Sequence, residues 1–95
     1  MMAMSYLQSK NVRVQGLRTS MRLEPAMWSA LGTIARWENS TVEEQVNNAV
    51  LHAKNGQTQT SAVRVYIIEY FANIIFEETK IIVRRENIGR QIENA

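Results

Sequence analysis

Cysteine and aspartate are absent from this 95-residue chain, and histidine and proline occur once each, as His52 and Pro25. Without cysteine there is no disulfide framework and no thiolate metal site, which fits a reducing, cytoplasmic setting. All nine acidic residues are glutamates. Acid–base catalysis and metal binding draw on several kinds of titratable side chain, and this chain offers few. Glu43/Glu44 and Glu77/Glu78 are adjacent pairs, and neighbours on a helix point about 100° apart. They therefore suit solvated faces better than a cooperating carboxylate pair. His52 falls near a helix end, where an exposed or dipole-facing histidine is ordinary. We expect no enzyme activity, no metal and no cofactor.

Long apolar runs are also missing. The opening residues 1–10 carry no basic region followed by a hydrophobic stretch, so they do not read as a secretory leader. The most apolar segment, residues 62–76, is broken by Arg64, Glu69 and Asn73 and falls short of the roughly 20 residues of a membrane span. The net charge is only +2, but residues 1–36 carry +4 and residues 37–95 carry −2. A basic N-terminal element on a near-neutral body is what a polyanion-binding protein presents.

What is present is alternation, then helical periodicity. Leu17, Thr19, Met21 and Leu23 alternate with Arg18, Ser20 and Arg22, which predicts a strand over 17–24 with an apolar and a polar face. Residues 10–15 alternate as well, with Val12 and Val14 on one side and Arg13 on the other, and Gly16 marks a bulge or bend. Pro25 suits the first turn of a helix predicted over 25–38, with Met27, Trp28, Leu31, Ile34 and Ala35 on its inner face. Asn39 stands where a left-handed residue ends such a helix. Thr41 followed by Glu44 is a capping-box pattern opening a second helix over 41–54. A third begins at Thr60 or Ser61; twelve of the fifteen residues 62–76 are apolar, which calls for cover on more than one side. This gives a tail over 1–9, a domain over 10–76 and a C-terminal helical extension or tail over 77–95. One strand cannot make a sheet, and the simplest partner for residues 17–24 is the same strand of a second copy.

These features together resemble the ribbon–helix–helix family, the fold of the Arc and methionine repressors. The order of strand, proline-started helix, short turn and Thr-capped helix covers residues 17–53. The stretch "GLRTSMRLEPAMW", followed later by "SAVRVYIIEYF", is similar to a bacterial subfamily with a G-x-R-T-S-x-x-L-E strand and a later S-A-x-R helix. The resemblance implies a mainly α fold: a homodimer with an intermolecular two-stranded antiparallel β-ribbon, here with an extra C-terminal helix. It also implies sequence-specific binding of double-stranded DNA by a transcriptional regulator or repressor, with two dimers side by side on adjacent sites. The ribbon would enter the major groove, with Arg18, Ser20 and Arg22 reading bases. A phosphate would sit at Ser40 and Thr41, at the start of the second helix. For Lys10 and Arg13, phosphate contact and plain solubility stand level, and Lys80, Arg84 and Arg85 divide between flanking phosphate and a solvated cluster. Many family members have glycine where Asn39 stands. Arg64 lies on the side of its helix away from Glu69 and Asn73 and needs a partner if buried; Glu24 is the expected one. The alternative is an antitoxin-type interaction protein whose C-terminal segment binds a protein partner.

Overall fold

The computed structural model describes residues 6–94, with side-chain environments over 6–79. Two strands, β1 (Gln8–Val14) and β2 (Leu17–Leu23), are followed by α1 (Pro25–Trp37), α2 (Val42–Leu51) and α3 (Gln59–Asn94). Of the tail expected over 1–9, Gln8 and Ser9 belong to β1, while residues 1–5 lie outside the described residues. The C-terminal extension is helical, as part of α3, although the side chains of Lys80, Arg84 and Arg85 lie outside those described.

The strands pair antiparallel with each other, Val14 opposite Leu17 and Gln8 opposite Leu23. β1 thus gives β2 a partner strand within its own chain, one that the sequence did not disclose, and the other edge of β2 has no strand beside it among the described residues. What pairs β1 with β2 is the turn. Gln15 has φ 52° and Gly16 φ 82°. Two consecutive positive φ values make the two-residue hairpin turn whose twist matches that of paired strands. Gly16 is thus the second corner of a tight hairpin rather than a bulge. It is required by backbone angle and not by space, because a Cβ there would meet nothing within 4 Å.

The apolar face of this hairpin is one wall of the core. Val12, Val14, Met21 and Leu23 are buried against Trp28, Leu31 and Ile34 of α1, Val46 and Ala49 of α2, and Val63 and Ile67 of α3. An isolated hairpin is marginal in water, and this packing is what makes it stable. Trp28 also donates its indole N–H to the carbonyl of Gln8 at 2.8 Å, fastening the start of β1.

Each helix boundary has a local cause. Pro25 opens α1. Asn39, at φ 55°, ends it: Ser40 N–H bonds the carbonyl of Ala35 at 2.8 Å and Asn39 N–H that of Arg36 at 3.2 Å. That paired pattern closes a helix over a left-handed residue. Thr41 and Glu44 form a complete capping box at α2, with Glu44 N–H on Thr41 Oγ1 at 3.1 Å and Thr41 N–H on Glu44 Oε1 at 2.8 Å. For α3 the capping hydroxyl is that of Thr58, which accepts from Ser61 N–H at 3.1 Å, two residues earlier than the sequence suggested.

Candidate nucleic-acid interface

The strand register decides what the outer face of the hairpin carries. Ser9, Asn11 and Arg13 of β1 lie opposite Arg22, Ser20 and Arg18 of β2 respectively, and all six are exposed. This is the face turned away from the helices, because the alternate positions are those that enter the core. The three residues expected to read bases therefore sit together, and the structure adds three from β1 beside them. Asn11 and Ser9 escaped sequence analysis because only residues 10–15 of β1 were recognised and their pairing partner was not.

One feature of this face is costly for a chain with nothing to bind. Arg13 and Arg18 are cross-strand neighbours, and like charges directly opposite destabilise a sheet. Among the described residues neither guanidinium is paired with a carboxylate. A polyanion laid across the hairpin would offset that repulsion. At the centre of the face, the hydroxyls of Ser9 and Ser20 are 2.8 Å apart and share a hydrogen bond.

The face is held firmly by α2. The N–H of Arg13 bonds Glu43 Oε2 at 2.9 Å, and the N–H of Gln15 bonds Asn47 Oδ1 at 2.8 Å. Asn47 Nδ2 donates to the carbonyl of Arg13 at 2.7 Å and to that of Glu43 at 2.8 Å. These bonds take up the N–H and carbonyl of Arg13 on the outer edge of β1 and the N–H of Gln15 in the turn, so that edge is sealed at its turn end by side chains of the same chain. On β2, alternation turns the N–H and C=O groups of Arg18 and Ser20 away from β1, toward an edge with no such cover among the described residues.

The residues expected at phosphate are distributed differently. Arg13 is on the outer face. Lys10 is opposite Met21 on the helix side, with its ammonium 5.5 Å from the centre of the Trp28 ring, so it is turned away from Arg18 and Arg22. At the start of α2, the N–H of Thr41 and of Glu44 are taken by the capping box. The N–H of Ser40 closes α1, and its hydroxyl accepts from Gln45 Nε2 at 2.7 Å. Glu43 and Glu44 occupy the first turn of that helix. Carboxylates there already satisfy the helix dipole and repel a phosphate. The structure thus does not gather Lys10, Ser40 and Thr41 with the outward arginines.

Beneath the hairpin, Arg64 Nε donates to Glu24 Oε1 at 3.0 Å and its Nη2 to Oε2 at 3.3 Å, a two-point ion pair tying α3 to the end of β2. The hydrogen bond from Arg64, above all, holds the Glu24 carboxyl below its ordinary pKa. Gln45, 3% exposed, is the buried polar residue that sequence analysis missed: besides its bond to Ser40, it accepts the hydroxyl of Tyr66. Its burial has no sequence signal beyond its place on the inner stripe of α2.

The hairpin and the three helices that follow it define the fold class, and comparison agrees. A family model described as a ribbon-helix-helix domain matches residues 7–71. The chain belongs to that family, whose members are DNA-binding proteins of regulator type. No curated protein and no solved structure matches it. Among the described residues no helix is long and apolar enough to cross a membrane, and no cluster of residues could hold a metal ion.

Proposed function

We propose that this protein is a transcriptional regulator that binds double-stranded DNA sequence-specifically, laying the outer face of its hairpin in the major groove. The observation that carries this reading is the exposed row of Arg18, Ser20 and Arg22, with Arg13 set against Arg18. A two-stranded ribbon fits the major groove, and arginine bonds guanine O6 and N7 together, each good pair giving about 1–3 kcal/mol of discrimination. Arg13, at the hairpin's end, is suited to phosphate. The protein works as a homodimer: the uncovered edge of β2 and the exposed Ile68, Ile75 and Phe76 of α3 both call for a partner surface.

Selection of bound duplexes from a random pool tests this. The wild-type protein should enrich a short motif, repeated or palindromic if two subunits bind. The double variant Arg18→Ala, Arg22→Ala should lose that selectivity while keeping its melting temperature. No enrichment by the wild type, or equal loss by the variant on selected and random DNA, would overturn base reading by these arginines.

A second reading has its own observation. Ile68, Ile75 and Phe76 are 60%, 65% and 60% exposed along α3, and this surface suits a protein partner as an antitoxin-type chain would use it. If Ile75→Glu with Phe76→Glu leaves the dimer and its DNA selection untouched but abolishes capture of a co-expressed partner, that reading gains over the first.

A further inference from the structure

The hairpin of a single chain has two strands, and the base-reading role has so far fallen on β2 alone. Asn11 occupies the middle of β1, directly opposite Ser20, on the same exposed face as Arg18 and Arg22. Asparagine is disfavoured in strands, where a β-branched residue such as threonine would serve better. Its amide has no hydrogen-bond partner among the described residues, in contrast to Asn47, whose amide seals the turn end of β1. The chain therefore places a two-ended donor and acceptor at the centre of its outer face and uses it for nothing internal. The neighbouring hydroxyls of Ser9 and Ser20 are bonded to each other, which leaves Asn11 as the unengaged group between the arginines.

We propose that Asn11 is a specificity-determining residue that reads adenine in the major groove, so that both strands of one hairpin contribute base contacts. This rests on the DNA-binding reading above. The chemistry is direct: Asn Oδ1 accepts from adenine N6–H, and Asn Nδ2 donates to adenine N7, a bidentate match no other base offers in that groove. The geometry sets the position. Residues two apart on a strand are separated by about 6.8 Å, and base pairs stack about 3.4 Å apart, so each such step spans about two base pairs. Arg18 and Arg22 flank Ser20 by one step each, and Asn11 lies across the ribbon from Ser20. The adenine falls between the two arginine-read guanines, about two base pairs from each.

Selection from a random duplex pool is run with the wild type, with Asn11→Ala and with Asn11→Thr, whose β-branched side chain keeps strand propensity. All three are melted by circular dichroism. The wild type should enrich a fixed A·T pair between fixed guanines. Both variants should select the guanines but lose the A·T preference. Their affinity for the wild-type site should fall roughly 5- to 150-fold, with affinity for random duplex unchanged. An A·T preference retained by a folded Asn11→Thr protein overturns the proposal and leaves the arginine reading standing, as does an equal loss on random DNA. A wild type that enriches nothing overturns both.

Discussion

At the scale of single residues, the ion pair between Arg64 and Glu24 shows how a site residue can be structural. The pair anchors α3 at the end of β2, two residues from Arg22 in sequence, and so steadies the polar face without belonging to it. Because both partners are partly exposed, its worth to the fold is modest. The pKa of Glu24 is lowered in the folded chain, so the stabilisation is present at neutral pH and lost as pH falls through that depressed value. Arg64→Ala should therefore melt below the wild type at pH 7, and the gap should close in strong acid; equal melting at neutral pH would mean the pair does no structural work. Tyr70 gives a second case. Its hydroxyl donates to Glu38, and that bond with the carboxylate charge pushes its pKa up to about 12. Glu38→Gln should return Tyr70 toward its usual value near 10, visible as an earlier rise in ultraviolet absorbance on titration with base. In the core, Leu31 and Ile34 are fully covered. Alanine at either should cost about 2–5 kcal/mol in denaturant unfolding.

At the scale of elements, the helices were largely legible in the sequence and the sheet was half so. Pro25, Asn39 and the Thr41–Glu44 box act through their own backbone neighbours, so their effects can be read without knowing the fold. The alternation in β2 identified both of its faces for the same reason. The pairing of β2 with β1 was not legible, because Gln-Gly is a weaker hairpin cue than Asn-Gly and a lone glycine equally suggests a bulge. This turn carries a prediction. Gly16→Ala places a Cβ at φ 82° and should cost about 1–2 kcal/mol. The edge seal carries another. Asn47→Ala removes the partners of Gln15 N–H and the Arg13 carbonyl and, because both bonds are exposed, should cost about 0.5–1.5 kcal/mol. Amide hydrogen exchange at Gln15 should speed up, while α1 stays protected; unchanged exchange would show that water replaces the seal without cost.

At the scale of the molecule, the uneven charge of the sequence acquires a geometry. Of the five basic residues in 1–36, Arg13, Arg18 and Arg22 reach the outer face, Lys10 lies over Trp28 on the inner side, and Arg36 sits in the last turn of α1. Binding to DNA should weaken steeply with salt, in proportion to the phosphates neutralised. Arg13→Ala should reduce the slope of log affinity against log salt by about 1 and leave the selected motif unchanged, whereas Arg18→Ala should change the motif. The long α3 gives the molecule an extent of 62 Å and carries its apolar residues beyond the core.

The sequence by itself determined the local quantities: which strand residues point together, where α1 begins and ends and where α2 begins, and that the chain is a ribbon-helix-helix protein. Tertiary structure decided whatever depends on two distant segments meeting. It brought Asn11 beside Ser20, put Lys10 on the far side from the arginines, sealed the turn end of β1 with Glu43 and Asn47, and buried Gln45 between Ser40 and Tyr66. Periodicity fixes the direction of a side chain relative to its own backbone, but only packing fixes what stands opposite it.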